Sequence, residues 1–313
     1  MTGQGKAVRP PSLRRDLRSN RTYLLLLIPA IAYVLIFSYI PMGGVVIAFK
    51  NYNYSSGILG SPWIGLKNFR FLAISNKLWT LTRNTLAYNF VFILLGMALE
   101  VMFAVIINEM RCRWFKKTFQ SFMFLPFFIS WVVANAVIQT LLDYDYGLIT
   151  RLVESLGGNM VNIYTTASPW PFLLVFFRMW KSVGYGSIIY LGAISGIDQE
   201  MYEAAEIDGA NSWQKVFRIT IPNLIPTMVI MFLLALGQIF RGDFGMFYQL
   251  IGNNGVLLET GDILDLYVYR AMSSNTNLGM SAAAGLFQSV LCFATILLAN
   301  FMVKRIQPDY TLF

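Results

Sequence analysis

The chain has 313 residues, of which 56% are hydrophobic and only 13% are charged. Soluble domains usually carry about a quarter charged residues, so this composition indicates a chain that folds in lipid. The net charge is +8, but the basic residues form no single patch and accompany no zinc-finger or basic heptad pattern, which argues against nucleic-acid binding. The sequence contains no histidine, which excludes HExxH zinc sites and Ser-His-Asp triads.

Two further site types are unsupported by the sequence. The stretch "GSPWIGLKN" lacks the Gly-Lys-Ser/Thr ending with which a Walker A loop cradles phosphates. Cys112 lies beside a basic loop and Cys292 lies inside an apolar run, so the two thiols are expected at different depths and a disulfide framework is not expected. We therefore predict no bound metal or cofactor.

The first apolar segment resembles a secretory signal, because a basic flank precedes it and Ala30-Ile31-Ala32 could be cleaved. It continues well past that point, to about Phe49, which is long enough to cross a bilayer. We interpret it as an uncleaved first span, with cleavage as the alternative.

Six apolar stretches have the length of about 20 residues that a bilayer requires. They cover 23–48, 84–107, 119–142, 171–192, 223–243 and 279–302. Ser168-Pro169-Trp170-Pro171 marks the start of the fourth helix, and Pro222 and Pro226 mark the start of the fifth, since Pro is tolerated in a first helical turn. The sequence therefore predicts an all-α, polytopic membrane protein with one six-helix domain at 22–306, between terminal tails at 1–21 and 307–313.

Basic residues collect at both ends of the chain and in one short loop, and such residues are retained on the cytoplasmic side of a membrane. They are Lys6, Arg9, Arg14, Arg15, Arg18 and Arg21 in the tail, Arg111, Arg113, Lys116 and Lys117 in the loop 108–118, and Lys304 and Arg305 near the end. Both termini are therefore predicted to be cytoplasmic. The segment 49–83 disagrees, because counting spans puts it outside although it carries five basic residues.

The loop 193–222 contains an unusually polar run, "YEAAEIDGANSWQKVFRITIP" at 202–222. Good helix formers from Gln199 to Asp208 predict a short helix, and Gly209 is where it should end. A second short helix is expected around Ser212 to Arg218, leading into Pro222. From polarity alone, this loop would be a solvated hairpin at the membrane surface.

The spacing within the loop adds a more specific signal. Glu203-Ala204-Ala205, three residues, Gly209, nine residues and Ile219-Thr220-Ile221-Pro222 resemble the EAA loop of ABC importer permeases, EAA-x3-G-x9-I-x-L-P, with Ile221 in place of the usual Leu. The stretches "PMGGVVIAFKNYN", "GSPWIGLKNF", "WKSVGYGSIIYLGAISGID" and "LYVYR" are similar to carbohydrate-uptake permeases of the complex-oligosaccharide branch.

This resemblance implies a transport subunit that is not itself an enzyme, in the inner membrane of a bacterial cell. Its implied partners are a second permease subunit, two cytoplasmic ATPase subunits and an external sugar-binding protein, with membrane lipid around the spans. In such permeases the EAA loop couples to the ATPase, which assigns that role here to Glu203, Ala204, Ala205, Asp208, Gly209, Ile219 and Pro222.

Candidate cargo-path residues lie in the fourth and fifth spans, because polar groups inside spans usually face a cavity or a partner helix. Arg178, Lys181 and Tyr185 recur at helical spacing, flanked by Trp180 and Ser182. By resemblance to maltose-type permeases, Trp180, Lys181, Ser182 and Tyr185 match cavity positions. Gln238, Arg241 and Asp243 are expected in the outer half of the fifth span, where the alternative is an Arg241–Asp243 ion pair or an interhelical ion pair that holds the bundle. Asn135, Gln139 and Gln288 are weaker candidates that could instead bridge helices.

Arg178 and Lys181 are predicted close to mid-membrane, where an unpaired cation costs roughly 2.5–3.5 kcal/mol on insertion scales. The fourth span contains no acidic residue, so a surplus of positive charge is expected in the cavity. This predicts an acidic oligosaccharide, such as a uronate chain, as the cargo. Alternatively, Lys181 could pair with an acid of the partner permease, or both cations could bind neutral hydroxyls.

Two rival functions remain at the level of sequence. Asp143-Tyr144-Asp145 imitates the DxD motif of metal-dependent glycosyltransferases, but it lies on the predicted outer side, away from nucleotide donors. The same importer architecture could also carry peptides or ions. Aromatic and amide-rich spans favour sugar.

Overall fold

The computed structural model describes residues 20–74, 76–158, 162–273 and 278–306. Residues 1–19 of the predicted N-terminal tail and all of the predicted C-terminal tail, 307–313, lie outside the described residues. The principal helices are α1 (Arg21–Phe49), α2 (Asn76–Glu109), α3 (Arg113–Phe128), α4 (Trp131–Leu142), α5 (Trp170–Ser195), α6 (Gln199–Ile207), α7 (Ser212–Leu236) and α8 (Leu278–Ile306). By length and composition, five of these helices can cross a membrane, and the number is six if the bent pair α3–α4 is one broken span.

The third span is not the continuous helix predicted over 119–142. Helix α3 ends at Phe128, α4 begins at Trp131, and the two helices meet at an angle of 101°. Pro126 lacks a backbone N–H and weakens the last turn of α3, while the Ser130 side chain accepts a hydrogen bond from the Val133 N–H at 3.3 Å and caps α4. The prediction of one straight helix was therefore wrong.

The fifth span also differs from its prediction at both ends. The short helix predicted around Ser212 to Arg218 begins at Ser212 as expected, but it continues through a π turn at Val216–Thr220 into the fifth span and forms one helix, α7, with it. It ends at Leu236 rather than at 243. The irregular backbone beyond it is satisfied by neighbouring helices, because Asn89 Nδ2 donates to the carbonyls of Ile239 (2.8 Å) and Arg241 (2.9 Å).

Shorter helices lie between the spans. They are Gly57–Gly60, Lys67–Ile74, Leu148–Ser155, Phe244–Leu250, Leu258–Gly261 and Leu264–Ser273. The segment between α7 and α8 packs under α2, α4 and α5, where Trp170, Leu174, Met246, Phe247 and Ile263 form a buried core. In contrast, no residue of Arg21–Val34 is buried, which suits a helix whose surface is covered by lipid or by another subunit.

Two glycines bring the spans close together. A Cβ atom at Gly184 of α5 would lie 1.9 Å from the Met123 carbonyl oxygen of α3, and a Cβ atom at Gly186 would lie 2.0 Å from the Glu100 carboxyl carbon of α2. A larger residue at Gly184 would meet backbone and force α5 and α3 apart, whereas a larger residue at Gly186 would displace the Glu100 side chain. Helix α5 therefore holds α3 on one face and α2 on another.

Candidate functional site

A polar cavity of about 370 Å³ lies between α2, α5, α7 and the segment that follows α7. Its polar lining comes from both predicted and unpredicted residues. The predicted ones are Arg178, Ser182, Gln238, Arg241 and Asp243, and the unpredicted ones are Asn89, Glu100 and Tyr190. The apolar walls include Phe92, Ile93, Met97, Met231 and Phe232.

Asp243 is the most heavily bonded group of this cavity. Its Oδ2 atom accepts hydrogen bonds from Arg178 Nη1 at 3.1 Å and from Trp131 Nε1 at 3.2 Å, and its Oδ1 atom accepts one from the Met246 N–H at 3.1 Å. Of the two ion-pair alternatives, the interhelical one is present and the Arg241–Asp243 pair is not, since the carboxylate pairs with Arg178 across 65 positions of sequence. Asp243 joins α4, α5 and the start of the helix Phe244–Leu250.

Arg241 lies in the irregular segment beyond α7, not in the outer half of the predicted fifth span. Its side chain is exposed to the cavity, and in the described ranges it takes part in no ion pair. Gln238 is also exposed there. The Ser182 hydroxyl is committed to its own helix, because it donates to the Arg178 carbonyl at 2.8 Å.

The polar residues that were predicted to share one face of α5 lie on two different faces. Arg178 and Ser182 line the cavity, whereas Lys181 faces the end of α3 and donates to the carbonyls of Pro126 (3.2 Å), Phe127 (2.9 Å) and Ile129. Tyr185 follows Lys181 and stacks on the Phe127 ring with centroids 4.3 Å apart.

Trp180 is exposed on the surface of the chain and is not among the residues that line the cavity. The predicted surplus of positive charge from Arg178 and Lys181 in the cavity is wrong, for two reasons. Asp243 neutralises Arg178, and backbone carbonyls hold Lys181.

Glu100 is the charged residue among the three polar lining residues that the sequence analysis did not predict. It lies on α2, lines the inner part of the cavity and is half-buried opposite Gly186. A signal was present in the sequence, because Glu100 is the only charged residue of the apolar stretch 84–107.

The polar loop forms a compact hairpin between α5 and α7. Asp198 caps α6 by accepting the Glu200 N–H at 3.0 Å, and the helix ends before Gly209, whose φ is +78°. The Ala210 N–H donates to the Ala205 carbonyl at 2.9 Å, which closes the last turn in the manner of a Schellman cap. Among the motif residues, Glu203, Ala204, Asp208 and Pro222 are exposed, and Ala205 and Ile219 are half-buried.

Two side-chain contacts tie α6 to α7. Lys215 Nζ donates to Glu206 Oε1 at 2.7 Å, and the hydroxyls of Tyr202 and Thr220 are hydrogen-bonded at 3.0 Å. The hydrogen bond from Lys215 lowers the pKa of the Glu206 carboxyl below its usual value. The Glu206–Lys215 pair is therefore charged at neutral pH and is lost only when pH falls through this lowered pKa.

The Asp143-Tyr144-Asp145 sequence has a local structural role. Asp143 Oδ1 accepts the N–H groups of Asp145 (3.0 Å) and Tyr146 (2.7 Å), which is a turn stabilised by its own first residue. Within the described ranges, no group of three or more acidic or cysteine side chains is arranged to hold a metal ion. The glycosyltransferase alternative therefore has no metal centre in this part of the chain.

Apolar spans around a polar cavity, with a polar helix hairpin at one end, define an integral membrane transport subunit. Residues 100–308 match the family of binding-protein-dependent transport system inner membrane components, and the chain belongs to that family. The predicted all-α permease fold and the transport role, as opposed to an enzymatic one, are thereby confirmed.

Two curated relatives are from Bacillus subtilis strain 168. The chain is 32% identical to Protein LplB, over 94% of this chain and 92% of that protein. It is 34% identical to the polygalacturonan/rhamnogalacturonan transport system permease protein YteP, over 90% of this chain and 87% of that protein.

Solved structures give the same assignment of fold. One chain of a bacterial ABC transporter involved in the import of the acidic polysaccharide alginate superposes with a TM-score of 0.86 and 31% identity, over 95% of this chain and 100% of that chain. A second chain comes from the alginate transporter in complex with an alginate pentasaccharide-bound periplasmic protein, with a TM-score of 0.85 and 30% identity, over 95% and 98% of the two chains.

Proposed function

We propose that this chain is a permease subunit of an ATP-driven importer that moves oligosaccharides delivered by an external binding protein. Its proposed partners are a second permease chain and two cytoplasmic ATPase subunits. Membership of the binding-protein-dependent family supports this assembly, and the named relatives are permeases for sugar polymers. Both termini and the hairpin formed by α6 are proposed to be cytoplasmic, which the distribution of Lys and Arg supports.

The α6 hairpin is the proposed contact with the ATPase. Glu203, Ala204 and Asp208 are exposed and available to a partner. A groove of about 300 Å³ beside them is lined by Ala205, Gly209 and Ile219, together with Asp208, Ala210, Gln214, Lys215 and Arg218. The Glu206–Lys215 and Tyr202–Thr220 contacts connect this surface to α7, so a displacement of α6 is passed to a helix that lines the cavity.

The proposed cargo is an acidic oligosaccharide, and one observation carries this part of the proposal. Arg178 and Asp243 neutralise each other, whereas Arg241 is exposed to the cavity and has no ion-pair partner among the described residues. A guanidinium binds a carboxylate in a two-point geometry that a neutral sugar cannot match. The relatives named for polygalacturonan and alginate, both acidic polymers, agree with this choice.

The test is uptake by the complete transporter, reconstituted in vesicles, of trigalacturonate and of a neutral trisaccharide. We expect Arg241→Gln to reduce trigalacturonate uptake about tenfold or more relative to the neutral sugar, because hydrogen bonds to charged groups contribute about 1.5–3 kcal/mol. Arg113→Gln is the control, since Arg113 is exposed at the start of α3 and outside the cavity.

Equal losses for the two sugars in the Arg241→Gln transporter would reject the acidic-cargo proposal. Failure of the wild-type assembly to take up any oligosaccharide would reject the wider proposal of a sugar importer.

A further inference from the structure

The Glu100 carboxyl group occupies a space beside Gly186, and no described residue donates a hydrogen bond to it. The absence of a side chain at Gly186 leaves the space that the carboxylate occupies, since a Cβ atom there would lie 2.0–2.5 Å from its three carboxyl atoms. Tyr190, one turn further along α5, lines the same part of the cavity. The carboxylate is thus held in the cavity wall by the close approach of two helices.

No hydrogen bond to Glu100 is made by the residues that the structure describes. Arg178 is the cation that acts on it through space, but the guanidinium donates its hydrogen bond to Asp243. An ionisable side chain inside a span is costly, and it normally faces a cavity, a pathway or a partner group. Glu100 therefore has acceptor capacity directed at whatever fills the cavity.

Arg241 and Glu100 lie at opposite ends of this cavity. Asn89 of α2 donates to the Arg241 carbonyl at 2.9 Å, so the Arg241 backbone lies at the level of Asn89. Glu100 lies eleven residues further along the same helix, so its backbone is about 16 Å from the level of Asn89 at a rise of about 1.5 Å per residue. Among the described residues, the Arg241 side chain makes no ion pair at one end of the cavity, although it acts through space on the Asp265 carboxyl, and Glu100 accepts no hydrogen bond at the other end.

We propose that Glu100 is a second cargo subsite, which accepts hydrogen bonds from a pair of neighbouring sugar hydroxyls. Each hydroxyl carries one donor, and the carboxyl group of Glu100 has two oxygens that can accept, so the two groups match in number and kind. This subsite rests on the proposed sugar import and adds a determinant of specificity. A ring with free neighbouring hydroxyls is bound at the Glu100 end while an acidic ring is bound by Arg241.

The experiment measures the concentration dependence of trigalacturonate uptake by the reconstituted transporter. Glu100→Ala should raise the KM by about tenfold to a hundredfold, because both acceptors are lost. Glu100→Gln should raise it less, since the amide oxygen still accepts. Glu109→Ala is the matched control, because Glu109 belongs to the same helix but is exposed at its end.

A second probe separates cargo binding from a structural role. Trigalacturonate with its neighbouring hydroxyls methylated should enter the wild-type transporter with a raised KM, and Glu100→Ala should not raise that KM further. Three results would overturn the subsite: an unchanged or lower KM in Glu100→Ala, an equal effect on both probes, or loss of the partner subunits on purification. Wild-type uptake of trigalacturonate reports on the proposed function independently of all three.

Discussion

At the scale of single residues, Lys181 shows how a membrane helix can hold a cation without a carboxylate. Its ammonium group donates to the carbonyls of Pro126 and Phe127 and to that of Ile129, at the position where span three breaks. The last carbonyls of a helix lack intrahelical partners and carry partial negative charge. The Lys181 ammonium group therefore obtains hydrogen-bond acceptors, and the carbonyls at the end of α3 obtain a donor, from the same contact.

We expect Lys181→Met to destabilise the protein without changing its preference between cargoes. Hydrogen bonds from a charged donor contribute about 1.5–3 kcal/mol, so losing the ammonium group from these partly exposed carbonyls should lower the unfolding temperature of the detergent-solubilised variant below that of the wild type. Lys117→Met is the control, because Lys117 is exposed in α3. A selective loss of acidic-cargo uptake, with unchanged thermal stability, would instead assign Lys181 to cargo binding.

At the scale of elements, the end of α6 depends on the backbone conformation of one glycine. Gly209 has φ of +78°, and a Cβ atom there would meet no other atom within 4 Å. A β-branched residue would therefore be excluded by backbone conformation rather than by crowding. The conformation also positions Ala210 to bond back to Ala205.

Gly209→Val should reorient the hairpin and reduce both uptake and the stimulation of ATPase activity by the binding protein. Forcing such a residue into this region costs about 1–3 kcal/mol, which is enough to change a short helix but not to unfold the spans. Gly157→Val is a matched control, because Gly157 also has φ of +78° and open space, in the loop after Leu148–Ser155. If the two variants behave alike, the coupling role of Gly209 is rejected.

The elements themselves were largely predictable, because hydropathy is a property of neighbouring residues. The bend in span three was not predicted, since 119–142 is continuously apolar and only Pro126 indicated an interruption. The contact that stabilises the bend comes from Lys181, more than fifty positions away. The end of α7 was misplaced for the same reason, because Asn89 of another span satisfies the backbone that follows it.

At the scale of the whole molecule, the cavity could be predicted only in part. Arg178, Ser182, Gln238, Arg241 and Asp243 were recognised as polar groups in apolar surroundings, and the structure brings them together. The pairing of opposite charges could not be predicted, because it depends on the distance between helices rather than on the sequence spacing within one helix. The Arg178–Asp243 pair and the carbonyls that bind Lys181 leave Arg241 as the cation proposed to bind the cargo.

The orientation in the membrane can be tested by labelling in intact cells. In a background with Cys112 and Cys292 replaced by serine, Ser56→Cys should react with an impermeant thiol reagent added outside, and Lys117→Cys should react only after the cells are opened. The opposite pattern would reverse the membrane topology and place the α6 hairpin outside. Purified protein in detergent, in which both sites are accessible, provides the control for reactivity.

Helix α5 is one long helix that connects the cavity to the α6 hairpin, so a tilt at one end moves the other. It runs from Trp170 to Ser195, about 39 Å at about 1.5 Å per residue, and Asp198 follows as the cap of α6. A tilt of about 10° at the hairpin end would move the opposite end by about 7 Å on this length. Because Lys181 and Gly184 hold the end of α3 against α5, the bend in span three would move as well, and the 3.1 Å contact between Arg178 and Asp243 belongs to the part of α5 that would move.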